Sequence, residues 1–154
     1  MSALEAAAGL REPVDHFDQL AQLERAALGA HAGEPIALCD RAHGESLRLR
    51  AAQPQAVRPK GLLARLGARS DAREHEARME AWDVEVDALE AATEAAMGRW
   101  RAASDPSLIA AATADRDAAI RSIVERGLFD AALGEEMCAE PLGTMLVRSA
   151  LAHD

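Results

Sequence analysis

The stretch MEAWDVEVDALEAATEAAMGRW, residues 79–100, decides the fold. Within it Met79, Trp82, Val86, Leu89, Thr93, Ala96 and Trp100 follow one another at alternating steps of three and four residues. Such steps straddle one helical turn, so every one of these side chains falls on a single face of an α-helix. Both tryptophans of a chain that is only 3% aromatic lie on this seam. The pattern predicts a long helix packed lengthwise against others. It starts at the cap pair Asp71 and Glu74 and runs to about Ala103.

On the N-terminal side, Pro13 suits the first turn of a helix from about Val14 to Ala32, whose apolar face is Phe17, Leu20, Leu23, Ala27 and Leu28. Gly33-Glu34-Pro35 breaks it and opens a second helix to about Ala51. That helix lays Ile36, Cys39, His43 and Leu47 on one face and Leu38, Ala42 and Leu49 on another, which predicts more than one neighbour. The prolines between Gln53-Pro54 and Pro59-Lys60-Gly61 cannot lie inside a helix, so a loop is expected over about 52–69. Ser2 and Glu5 form a capping box for a short N-terminal helix.

On the C-terminal side, Ser104-Asp105-Pro106 starts a helix to about Arg126 with Leu108, Ile109, Ala112, Ala119, Ile120 and Ile123 on its buried side. Gly127 stands where a C-terminal glycine cap belongs. The tail reads as Leu128 to Leu133, a break at Gly134-Glu135-Glu136, and a last segment from Leu142 to Ala152. Residues 135–154 therefore either pack onto the bundle or form a mobile flap over a groove. No run of period two and useful length occurs. The expected fold is all-α: one domain over 1–154, an antiparallel bundle of about five or six helices built from two helical hairpins. The pairs Asp40-Arg41 and Asp115-Arg116 give the hairpins a loose likeness.

A chain of 154 residues, 49% hydrophobic and 28% charged, is long enough to bury a core without disulfides or metals. Its net charge of −9 argues against nucleic-acid binding. The charge is uneven, because residues 46–70 hold Arg48, Arg50, Arg58, Lys60, Arg65 and Arg69 and no acid. This segment reads either as a solvated linker or as a docking patch for an acidic partner or membrane surface, with Arg58, Lys60 and Arg65 as its contacts. Cys39 and Cys138 form no C-x-x-C unit and read as free buried thiols. The first residues lack the basic and apolar regions of a signal peptide, and no stretch reaches membrane-spanning length, so a cytoplasmic protein is expected.

Catalytic chemistry is sparse. His43 follows Asp40 by three residues, the carboxylate-x-x-His spacing of di-iron bundles. The second hairpin has Ala118 where the matching histidine belongs. His43 therefore reads as a hydrogen-bonded core histidine, and no metal, cofactor or catalytic site is expected. The carboxylates follow helix surfaces, and no nucleophile elbow, P-loop or dinucleotide fingerprint occurs. The chain reads as a non-enzyme that binds a protein partner, with self-association into a homodimer left open. A ligand- or metal-binding four-helix bundle and a regulatory scaffold module are the alternatives.

The first hairpin resembles the flagellar type III export chaperones of the FlgN and FliT kind. The likeness rests on Leu23-Glu24 to Leu28, Gly33-Glu34, and Ala37-Leu38 through Leu47. The second hairpin is more loosely similar through Leu89, Met97, Asp105, Leu108 and Ile120, and together they cover about half the chain. The resemblance implies a small cytoplasmic helical chaperone or adaptor that shields a secreted filament or hook-associated subunit through an apolar C-terminal helix. Met145, Leu146 and Leu151 would then face the cargo.

Overall fold

A computed structural model describes residues 13–55 and 68–152. Six α-helices and no strand occur among them: α1 Pro13–Leu28, α2 Gly33–Ala51, α3 Ala68–Ala103, α4 Pro106–Glu125, α5 Ala131–Cys138 and α6 Thr144–Leu151. A short 3₁₀ turn, Gly29–His31, ends α1 earlier than its sequence suggests, because Gly29 takes a φ of +54°. The expected helix at Ser2–Glu5 and most of the 52–69 loop, including Arg58, Lys60 and Arg65, lie outside the described residues.

Local signals set several helix ends. Asp105 accepts from the Ser107 amide at 2.9 Å, with Pro106 following as the first helical residue. Asp130 caps α5 by accepting from the Leu133 amide at 2.8 Å. At the end of α4, Gly127 adopts φ +72°, and the Gly127 and Leu128 amides donate to the Val124 and Ile123 carbonyls. That is the paired closure of a Schellman turn, with glycine at its left-handed position.

The short helix α6 is the keystone of the packing. It lies against α1, α2 and α3, and α1 and α2 each lean on it more than on one another. Glu24 meets Leu146 while Asp18 meets Ser149, so α6 runs antiparallel to α1. His43 reaches Ala150, and Gly143 abuts Met97, so α6 runs parallel to α2 and antiparallel to α3. With Leu142, which precedes it, its residues complete two apolar clusters. Leu142, Leu146 and Val147 join Leu28, Cys39 and Met97, whereas Met145 joins Leu20, Ile120, Ile123, Phe129 and Met137.

A buried ion pair fastens this keystone. Glu24 of α1 and Arg116 of α4 are both 0% exposed, and Arg116 Nη1 donates to Glu24 Oε2 at 2.9 Å. The same guanidinium donates to the Pro141 carbonyl at 3.1 Å, to the Glu140 carbonyl at 2.7 Å, and through Nε to Asp117 Oδ1 at 3.1 Å. Glu24 Oε1 accepts from the Leu146 amide at 3.0 Å. Gly143, the residue before α6, has no side chain to cap the helix, so Glu24 supplies the cap from a neighbouring helix. Its negative charge also meets the positive end of the α6 dipole. At the other end His43 Nδ1 lies 3.0 Å from the Ala150 carbonyl.

Several sequence expectations change here. Gly134-Glu135-Glu136 is no break: α5 runs through it, and Gly134 is buried because a Cβ there would sit 2.7 Å from Val124 Cγ2. That glycine permits close helix contact. His43 is exposed rather than in the core, since α6 ends beside it. The two Asp-Arg pairs are not equivalent, because Arg41 is exposed and Arg116 wholly buried. The carboxylate of Glu24 does not follow the helix surface.

Candidate functional site

The seam that predicts α3 changes character along its length. Thr93 and Met97 are buried, whereas Met79, Trp82, Val86, Leu89, Ala96 and Trp100 are half-buried. Helix α6 packs on the seam at Met97 and stops at Leu151. Past that point the crevice between α2 and α3 is left as a groove of about 150 Å³, lined by Ser46, Leu49, Arg50, Trp82, Val86, Leu89, Glu90 and Leu151.

Trp82 is held in place at the groove. Its indole Nε1 donates at 2.6 Å to the Leu49 carbonyl in the last turn of α2, which also accepts from the Ala52 amide at 3.1 Å. One polar atom of the ring is thereby satisfied, and the apolar body is left to pack. A fixed, half-buried tryptophan flanked by Val86, Leu89, Leu49 and Leu151 is the arrangement that anchors a partner side chain. The groove has the room for about one such anchor.

The tail residues expected to face cargo are placed unequally. Met145 is 0% exposed and Leu146 8%, so both belong to the core of the bundle. The amphipathic face of α6 that suggested an open binding surface is already packed against α1, α2 and α3. Of the three, Leu151 alone lines the groove, at its end. Trp82, Val86 and Leu89 were legible as a seam but not as a site.

Other candidate chemistry is structural. Asp40 and His43 border a depression with Asp18 and Ser149, where Ser149 Oγ donates to Asp18 Oδ1 at 2.5 Å and so pins α6 to α1. Among the described residues no group of three or more His, Cys, Asp or Glu side chains is placed to hold a metal ion. Both cysteines are free thiols. Burial pushes the Cys39 thiol up to about 11, with the charges of Glu24 and Asp40 adding to the effect. Cys138 is raised as well, chiefly by burial and by Asp117. Neither thiol is tuned as a nucleophile, because the thiolate is the reactive form. Cys138 borders a wider cleft between α4 and α5, about 760 Å³, whose walls are mostly alanines, Arg121, Glu125 and Glu135. That cleft has no aromatic anchor.

No helix among the described residues is long and apolar enough to cross a membrane. No protein-family model, no curated protein and no solved structure matches the chain.

Proposed function

We propose that this chain is a protein-binding helical bundle that captures an apolar helical segment of a partner, as a chaperone or adaptor for a secreted subunit. The observation that supports the reading is the stretch of the α3 seam that the described residues leave half-buried, with Trp82 fixed at the groove by Leu49. An amphipathic helix laid into such a groove buries side chains at helical spacing against it. The partner contact moves accordingly from the tail to the α2–α3 crevice, and Leu151 is the one tail residue retained in it.

A photo-crosslinking amino acid placed at Glu90, on the groove rim, tests this in native cell extract, beside a control at the exposed Ala118 of α4. Crosslinks from position 90 to a secreted subunit, mapped to an apolar helical peptide, are the expected result. Equal labelling from both positions, or labelling of unrelated abundant proteins alone, would refute it.

A further inference from the structure

The groove is continuous with the crevice that α6 fills, and its rim on α3 is charged. Between residues 71 and 94 the chain has nine acids and two arginines. Glu90 lines the groove, and Asp83 and Glu76 precede it at intervals of seven, which places all three exposed carboxylates along one edge of α3 beside Trp82 and Val86. The intervals correspond to roughly 10 Å each along the helix axis. None of the three forms an ion pair with a described residue. Arg78, the one described base on that stretch beyond Arg73, pairs with Glu74 at 3.7 Å. Helix α6, packed against α1, α2 and α3, shows what the crevice accepts: an amphipathic helix with its apolar side turned inward.

We propose that the partner segment is a basic amphipathic helix that docks in line with α6, apolar side in the Trp82 groove and cationic flank along Glu90, Asp83 and Glu76. This rests on the groove being the protein-binding site. Continuity with α6 gives the axis of the docked helix, and the carboxylate row gives the charge of the flank that faces α3, while Arg50 on the α2 wall meets the opposite flank. Binding relieves repulsion among like charges on α3 while burying the apolar seam. The electrostatic part is exposed, so salt screens it, and the apolar part persists.

The test uses the full chain and three labelled synthetic peptides of one Leu/Ala apolar face, flanked by Lys, Gln or Glu, with fluorescence anisotropy as readout. The Lys peptide is expected to bind about tenfold more tightly than the Gln peptide at low salt, and within about twofold of it at 0.5 M NaCl. The triple variant E76K/D83K/E90K changes only exposed side chains and is expected to prefer the Glu peptide. Equal affinity for the three peptides overturns the charge assignment and leaves the groove reading standing. Failure of every peptide to bind overturns both. A Lys peptide with shuffled apolar positions that binds as well as the helical one removes the groove from the account and overturns the proposal. Self-association in sedimentation that competes with the peptide assigns the groove to a second copy, which also overturns it.

Discussion

Substitution of the buried pair gives an ordered set of stabilities. In Glu24→Gln, Arg116 keeps the Glu140 and Pro141 carbonyls and the Asp117 carboxylate at 3.1 Å, whose side chain is only 17% exposed. A neighbouring negative charge therefore remains, and the loss falls at the low end of what breaking a buried pair costs, about 3 kcal/mol. In Arg116→Met, Glu24 keeps the Leu146 amide but loses its cation, and the Glu140 and Pro141 carbonyls lose their donor. This variant falls at the high end, about 5 kcal/mol. Against a typical total of 5–15 kcal/mol, it is close to unfolded. The combination Glu24→Gln with Arg116→Met loses less than the sum, by about 2 kcal/mol, because each single change already removes the shared bond. Urea unfolding followed by circular dichroism at constant pH measures all four proteins. A Glu24→Gln loss under about 1 kcal/mol, or strict additivity in the double variant, would refute the keystone argument.

Three further outcomes are expected. Gly143→Ala loses about 2 kcal/mol in the same unfolding experiment, because φ is +99° there and a Cβ would stand 2.7 Å from the Met97 side chain. Gly44→Ala gains about 0.5–1 kcal/mol, since Gly44 is exposed within α2 with nothing within 4 Å of a new Cβ. Cys39 holds roughly a hundredth of the thiolate of an ordinary thiol near pH 8, so iodoacetamide labels it at least that much more slowly in the folded chain than in urea. Its raised value also fixes the sign of linkage. The folded state favours the protonated thiol, so this contribution is complete below the unfolded value of 9.0 and is lost as pH rises through about 11.

The long seam, the Asp105-Pro106 start and the Gly127 stop were legible because each depends on local geometry that a few neighbouring residues dictate. The tail was not, because whether an amphipathic segment is open or covered depends on surfaces far away in the chain. Glu24 and Arg116 nevertheless left a signal. Leu20, Glu24 and Leu28 stand at four-residue steps, as do Ala112, Arg116 and Ile120, so one acid and one base each occupy an apolar stripe. Opposite charges on two core faces are costly apart and tolerable together, which makes their pairing the economical reading. Gly134 gave the opposite lesson. A glycine next to two acids looks like a turn, yet the same lack of a side chain lets α5 press against Val124.

The position of the groove also determines what partner binding does to α6. Displacing α6 would expose Met145, Leu146 and Val147, all at 8% exposure or less, at a cost of roughly 5–9 kcal/mol for the apolar surface alone. The groove begins only where α6 ends, at Leu151, and Trp82, Val86 and Leu89 are already partly exposed. A partner that docks there meets no helix among the described residues that it must first remove, so it binds with the keystone in place. The Leu146 amide, held by Glu24 at 3.0 Å, reports this directly. Its hydrogen-exchange protection is expected to be unchanged or higher when the Lys-flanked peptide saturates the chain, while residues beside Trp82 gain protection. Loss of protection at Leu146 on peptide binding would show that α6 leaves its seat, and the in-line docking argument would then fail.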